Sequence, residues 1–337
     1  MNAGSEAPDA ALPHAGRDGS RELALFIFNT DVRLYLYGDA ADELDAALIA
    51  CRDRCLFFER ALSRTRPDSD ISRAHAASPA PVAVEPETAE LCRLGIEYGA
   101  RSEGRFDITM GTITSLWDFH AGVVPSRLAL ARALPHVGAG RIRLGEDASG
   151  RPTIAIEDPK TILDLGGIAK GHIADDLARL LRARGIGRFV LNLGGNVLVG
   201  GGRPEELGGG AWRIGIVNPR DPSHHRAIVD IADGSVVTSG LHERRFTRGG
   251  VTYHHILDPA TGMPAKTDLV SATIVSRRSI DGDGYSTAAL MMGADAARSF
   301  FEGVDGVETV LITDRDEVIW TDGLSDALSF IPTLPEL

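Results

Sequence analysis

The chain has 337 residues, 43% of them hydrophobic and 24% charged, with a formal net charge of -12 at pH 7. That composition is globular and long enough for one large domain or two smaller ones. The acidity, with no concentrated basic face in the sequence, argues against nucleic acid as a partner, and no apolar run is long enough to span a membrane.

Residues 1–20 are rich in Ala, Gly, Asp and Pro, with no apolar signal region and no lipid-attachment cysteine. They read as a disordered tail, and the chain as a cytoplasmic protein. Cys51, Cys55 and Cys92 are an odd set without a C-x-x-C pair, which argues against a disulfide framework and for a reducing compartment. Glu22 to Gly38 alternates, with Leu23, Leu25 and Ile27 before Asn29-Thr-Asp31 and Val32, Leu34 and Leu36 after it. That pattern predicts a β-hairpin. Ala40 to Leu62 carries Leu44, Leu48, Cys51, Cys55 and Phe58 at helical spacing. Ser63 to Ala77 is polar, with a turn at Pro67-Asp68-Ser69-Asp70. A second helix is expected from about Thr88 to Glu103, stopped by Gly104. Trp117 and Phe119 either wall a ring system or sit in the core, the commoner case.

Short strands are expected near Ile142 and over Thr153–Ile156. Thr161-Ile-Leu163 leads into the glycine-rich stretch Asp164–Gly171. A helix follows, with Ile173, Leu177, Leu180 and Leu181 at helical spacing and Gly185 as its stop. Arg188–Leu193 reads as a strand entering Gly194-Gly195-Asn196, and Gly200–Gly210 as a long hairpin connection between the apolar runs Asn196–Val199 and Trp212–Val217. Further strands are expected at Ala227–Ile231, Ser235–Thr238, Thr252–Ile256 and Ser271–Val275. One helix over Ser286–Glu302 and strands near Val310–Thr313 and Val318–Thr321 complete the chain. Strands joined by short turns, without regular βαβ alternation, predict an α+β fold of mixed or largely antiparallel sheets flanked by helices. The expected domain is single, over residues 21–332, with room for two subdomains.

Three clusters carry candidate chemistry. In Asp164-Leu-Gly-Gly-Ile-Ala-Lys-Gly171, glycines before a helix allow a ligand close to the backbone, and free N–H groups suit an anion. The alternatives are a phosphate-bearing ligand and an ordinary glycine turn. It is no P-loop, because Lys170 precedes Gly171 and His172 follows, and no G-x-G-x-x-G follows a strand here. In Tyr253-His254-His255-Ile-Leu-Asp258-Pro259-Ala-Thr-Gly262, neighbouring histidines on a strand point to opposite faces, so only one faces a given site. The alternatives are a surface histidine beside a turn and a zinc ligand, though no H-E-x-x-H is present. Asp283 and Thr287 lie four apart and share a face at an expected helix start. They read as an N-cap or as a hard-cation site suited to Mg²⁺.

Together these clusters resemble one family. Asp164–Gly171, His255-Ile-Leu-Asp-Pro-Ala-Thr-Gly262 and Asp283-Gly-Tyr-Ser-Thr287-Ala are similar to the three signatures of the FAD:protein FMN transferases, the ApbE family. Gly104-Arg-Phe-Asp107-Ile-Thr109, Asn192-Leu-Gly-Gly-Asn196, Trp212–Pro219 and Thr238-Ser-Gly240 match in the same order, over about residues 25 to 325. The resemblance implies a Mg²⁺-dependent enzyme that moves the FMN moiety of FAD onto a Thr or Ser hydroxyl of an acceptor protein and releases AMP. It implies FAD contacts at Phe28, Arg105, Phe106, Asp107, Asp164, Lys170, His255 and Ile256. The implied metal ligands are the Gly167 carbonyl, Asp283 and Thr287, and the implied catalytic residues are His255, which activates the hydroxyl, and Asp283. The rival readings are an FAD pyrophosphatase, with water replacing the acceptor, and a flavin-binding protein without turnover.

Overall fold

The computed structural model describes residues 8–331. Among the described residues, the largest element is a nine-stranded sheet. Its order is His14–Ala15, Arg21–Ile27, Thr30–Leu36, Phe189–Leu193, Asn196–Gly200, Gly234–Gly240, Leu269–Ser276, Val307–Thr313 and Val318–Trp320, with every neighbouring pair antiparallel. Leu328–Phe330, His225–Ile231 and Trp212–Val217 form a small second sheet, and Val82–Ala83, Pro152–Ile156 and Ile142–Glu146 a third. Arg245–Arg248 and Val251–His254 form a separate two-stranded ribbon. The expected α+β class with largely antiparallel sheets is what the chain adopts.

The first hairpin follows from its alternation. Leu23, Leu25, Ile27, Val32, Leu34 and Leu36 are all buried on one face, joined by a two-residue turn in which Phe28 and Asn29 have φ of 56° and 57°. Positive φ at both central residues gives the backbone twist that matches paired strands. The helices Ala41–Leu62 and Ala169–Ala183 pack on that face through Leu48, Cys51, Cys55 and Phe58 from one and Ile173, Leu177 and Leu181 from the other. A second core lies beyond them, where the helices Pro86–Arg101, Ser279–Met292 and Ala294–Glu302 meet the small Pro152–Ile156 sheet and the strands Leu269–Ser276 and Val307–Thr313.

Several expectations are corrected. His14–Ala15 pairs with Arg21 and Glu22, and Ala11 is buried, so residues 8–20 are not a disordered tail; residues 1–7 lie outside the described residues. The polar stretch after Ser63 contains a helix, Asp70–Ala77, capped by the Ser69 side chain, which accepts from Ser72 N at 3.0 Å, and anchored by buried Ile71 and Ala74. Eight residues are too few for a periodicity to stand out. The Gly200–Gly210 loop is not a hairpin connection. Asn196–Gly200 belongs to the nine-stranded sheet and Trp212–Val217 to the small second sheet, because each finds its hydrogen-bonding partner elsewhere in the chain. The expected helix over Ser286–Glu302 is two, Ser279–Met292 and Ala294–Glu302, broken where Gly293 takes φ of 80°. The first of them begins seven residues early, so Asp283 stands inside a helix rather than at its start.

Candidate active site

A cavity of about 1240 Å³ collects residues from across the chain. Ligand pockets for small molecules commonly hold roughly 300–1,000 Å³, so this one has room for a dinucleotide. Its walls come from the Phe28-Asn29 turn, the Arg105–Asp107 segment, the Asp164–Lys170 stretch, the sheet at Asn196 and Val237–Ser239, the His255–Leu257 segment and the helix face at Asp283, Ser286 and Thr287.

The centre of the site is the crossing of two helices. The Ala169–Ala183 and Ser279–Met292 helices approach so closely that a Cβ at Gly171 would lie 2.5 Å from the Ser279 carbonyl oxygen and 2.7 Å from Ile280 Cα. Each helix then supplies an acceptor for the other's first turn. Asp175 accepts from Ser279 N at 2.8 Å and from Ile280 N at 3.0 Å. Asp283 accepts from Gly171 N at 2.6 Å, and its other oxygen accepts from Asn196 Nδ2 at 3.1 Å. First-turn N–H groups have no partner within their own helix, and here the neighbouring helix provides one. Burial pushes the Asp175 carboxyl up to about 6, against the two backbone N–H groups that favour its anion.

The Gly171–Asp283 bond has a consequence for the loop before it. In a regular helix the Gly171 N–H would bond to the Gly167 carbonyl four residues back. It bonds to Asp283 instead, and among the described residues the Gly167 carbonyl accepts no backbone hydrogen bond. Gly167, Asp283 and Thr287 all line the cavity, and Asp283 is 5% exposed. A carboxylate oxygen offers two acceptor sites, so each oxygen of Asp283 keeps one after its hydrogen bond. A carboxylate, a hydroxyl and an unengaged carbonyl are hard oxygen donors, and one anionic ligand with water and phosphate oxygens is the pattern Mg²⁺ accepts. Among the described residues no group of three or more His, Cys, Asp or Glu side chains makes a metal cage. The donors therefore fit a metal that shares its coordination sphere with a ligand.

The remaining expected residues line the same cavity, with different engagements. Asp164 is gripped by Arg64, Nη1 to Oδ2 at 2.6 Å, and its other oxygen accepts from Gly166 N at 2.9 Å. Lys170 lines the wall one residue before Gly171. Phe106 is buried, its ring edge 3.4 Å from where a Cβ at Gly167 would stand. Asp107 has both oxygens engaged, one accepting from Thr109 N and Oγ1 in its own loop and the other from Ala139 N, 32 positions away. Arg105 donates to the Ser102 carbonyl and to Glu103. Phe28 reaches the wall from the strained turn, and Ile256, though buried, also lines the cavity.

Of the adjacent histidines, His255 lines the cavity and His254 is not among its lining residues. His255 follows the strand Val251–His254 rather than lying within it, and its backbone N donates to the Arg244 carbonyl at 3.1 Å. Its buried Nδ1 has no hydrogen-bond partner among the described residues. Burial, with the Arg244 guanidinium nearby, pushes its pKa down to about 4, well below the free imidazole's value near 6.5 that the sequence suggests.

Some wall residues carried little sequence signal. Arg64 lies 100 positions from Asp164, too far for any local pattern. Trp117 and Phe119 stack at 5.4 Å with 7° between their planes, and Phe246 and Tyr253 at 5.3 Å with 21°. Trp117 and Phe119 both line the cavity, and Trp117 is also buried, its Nε1 donating to the Gly262 carbonyl at 3.1 Å. Trp117 thus belongs to a small core cluster, with Phe119 packed against it, and both residues also face the cavity. The cross-strand match of Phe246 with Tyr253 was the available clue, but only once the ribbon's register is known.

Comparison with known proteins gives one consistent answer. The model of the ApbE family matches residues 28–311. A protein of Treponema pallidum named FAD:protein FMN transferase is 34% identical over 306 residues, covering 88% of this chain and 84% of its own length. Among solved structures, the ApbE protein of Thermotoga maritima superposes with a TM-score of 0.80 at 26% identity, covering 90% of this chain and 97% of its own. The flavin transferase ApbE of Vibrio cholerae shares the fold, with a TM-score of 0.80 at 24% identity and coverage of 91% and 99%.

Proposed function

The chain belongs to the ApbE family, and from that premise we propose that it transfers the FMN moiety of FAD to a Thr or Ser hydroxyl of an acceptor flavoprotein, releasing AMP. Relatives named FAD:protein FMN transferase support the activity. The observation that carries the reading at the level of the site is the helix crossing. It frees the Gly167 carbonyl of its helical partner, and Gly167, Asp283 and Thr287 line the same cavity as Lys170 and His255, which supports the reading.

In the proposed reaction the acceptor oxygen attacks the phosphorus on the flavin side of the pyrophosphate. A new P–O bond forms, the bond to the AMP oxygen breaks, and the hydroxyl proton leaves. Asp283, Thr287 and the Gly167 carbonyl are proposed to hold Mg²⁺, which when bound neutralises charge on the phosphate oxygens. Lys170 is proposed to add a positive charge beside the pyrophosphate, and Asp164, locked by Arg64, to accept from a polar group of FAD. Phe28, Arg105, Phe106, Asp107 and Ile256 are proposed to shape the flavin and adenosine walls.

His255 is proposed to take the proton. Burial keeps its imidazole neutral at neutral pH, the form that accepts. The negative charge of a bound pyrophosphate raises its pKa again, so it becomes a better base when substrate is present. We further propose that the chain from residue 21 works as one flavin-transferase domain, since strands near both ends share the main sheet. A cytoplasmic location is supported by three buried free cysteines; among the described residues no helix is long and apolar enough to cross a membrane.

The test mixes the protein with FAD and Mg²⁺, with and without a candidate acceptor. Flavin fluorescence that stays on the denatured acceptor, with AMP released in equal amount, is the expected result. AMP release that is independent of acceptor identifies a pyrophosphatase, and absence of both identifies a binding protein.

A further inference from the structure

Among the described residues, the ribbon of Arg245–Arg248 and Val251–His254 stands apart from the three other sheets, its two strands paired only with each other. It sits at the cavity, because Arg244 and Arg245 line the wall while His255 follows its second strand. On a chain of net charge -12, this stretch places three exposed arginines, Arg244, Arg245 and Arg248, around one glutamate, Glu243. Among the described residues none of the three has an ion-pair partner or a side-chain hydrogen bond, whereas Arg64 and Arg105 on the same cavity are both engaged by carboxylates. Beside Arg248 on the ribbon, Val251 is 51% exposed. Beneath it Phe246 and Tyr253 stack and continue to Trp117 and Phe119, so the ribbon is fixed at its base and open at its edge.

We propose that this ribbon is the docking surface for the acceptor protein, and that it receives an extended acidic segment lying next to the acceptor hydroxyl. The proposal rests on the transferase reading above. Charge complementarity names the occupant: unengaged guanidinium groups at the mouth attract carboxylates and set orientation and encounter rate. The unpaired strand edges offer backbone hydrogen bonds to an extended chain. An acceptor anchored there presents its hydroxyl at the mouth beside His255. Arg248, which does not line the cavity, contacts the acceptor and not FAD.

The experiment uses FAD-loaded protein and a labelled peptide with one threonine between aspartates, together with its asparagine and lysine counterparts. Fluorescence anisotropy is followed for wild type and for the variant Arg245→Glu/Arg248→Glu. The expected result is that the aspartate peptide binds tighter than the asparagine one, the lysine one weakest. The preference should shrink with added salt, and the double variant should weaken the aspartate peptide by about tenfold, from the loss of two exposed ion pairs and their replacement by repulsion. FAD binding by flavin fluorescence quenching should be unchanged in Arg248→Glu alone. No charge preference, or equal binding by wild type and double variant, overturns the proposal. So does a single-stranded oligonucleotide that outcompetes the peptide with the same arginine dependence, since that assigns the arginines to phosphate. A protein that transfers flavin normally but shows no peptide preference refutes the docking surface alone. One that binds the peptide through these arginines yet never transfers flavin refutes the transferase reading alone.

Discussion

At the scale of single residues, His255 and Asp283 carry the sharpest expectations. A general base typically contributes about 10²–10⁴-fold to rate and little to substrate binding. His255→Ala is therefore expected to lower flavin transfer within that range while FAD affinity stays near wild type, and His254→Ala to be milder. The pH profile adds a sign. Because free His255 titrates near 4, kcat/KM should hold from neutral pH down through 6 and fall only as the pH approaches 4, with the fall in kcat displaced upward by the bound pyrophosphate. A fall in kcat/KM centred near 6.5 would show the imidazole to be solvated instead. For Asp283, the structure replaces the question the sequence posed. It caps not its own helix but Gly171 of the neighbouring one. Asparagine has one acceptor oxygen for two donors, Gly171 N and Asn196 Nδ2. Asp283→Asn should thus cost the metal-free protein about 1–3 kcal/mol in urea unfolding. It should also lose both AMP release at ordinary Mg²⁺ and the rise in melting temperature on adding Mg²⁺. Thr287→Val should lose less of each and recover at raised Mg²⁺. A variant Asp283→Asn that responds to Mg²⁺ like wild type would move the metal elsewhere.

At the scale of elements, the crossing of the Ala169–Ala183 and Ser279–Met292 helices is the device that builds the site. Gly171 permits the approach because its missing Cβ is where the other backbone lies. The two aspartates then tie each helix start to the other helix. Removing Asp175 strips two first-turn N–H groups of their acceptor, so Asp175→Ala should cost about 0.5–2 kcal/mol. The pH dependence at Asp175 follows from its burial, which penalises the charged form and raises its pKa although the two N–H groups favour the anion. The folded state holds the proton up to about 6, the unfolded chain only to 3.8. The native state therefore binds more protons between those values, and the stability linked to holding this buried carboxyl neutral is full below 3.8 and lost as the pH rises through 6. Asp175→Asn cannot ionise, so the difference in unfolding free energy between it and wild type should change across pH 4 to 7 and be flat above. A difference that is constant across that window would show the carboxyl to titrate normally.

At the scale of the whole molecule, the cavity is assembled from Phe28 at one end of the chain to Met291 near the other. Its volume and its mixture of charged, polar and aromatic lining residues suit a ligand with two nucleotide halves. Binding is accordingly expected to rank FAD above FMN and FMN above riboflavin, measured by quenching of flavin fluorescence. Equal affinity for all three would mean that the pyrophosphate and adenosine walls contribute nothing.

Much of this was legible along the chain. Period-two alternation over Glu22–Gly38 and helical spacing over Ala40–Leu62 depend on neighbours within one element, so the residues themselves announce the hairpin and the helix. The three signature stretches, each short and contiguous, sufficed for the family, whose model matches residues 28–311. What sequence reading missed were pairings made across long separations. The start of the Ser279–Met292 helix is held by Asp175, 104 and 105 positions away from the N–H groups it accepts. Asp164 is gripped by Arg64, and the Gly200–Gly210 loop passes between sheets because its flanking strands pair elsewhere. Burial decided the pKa values of His255 and Asp175, and burial is a property of packing. A chain can encode its local periods in adjacent residues, but which donor meets which acceptor, and how dry the meeting place is, exists only once distant segments are brought together.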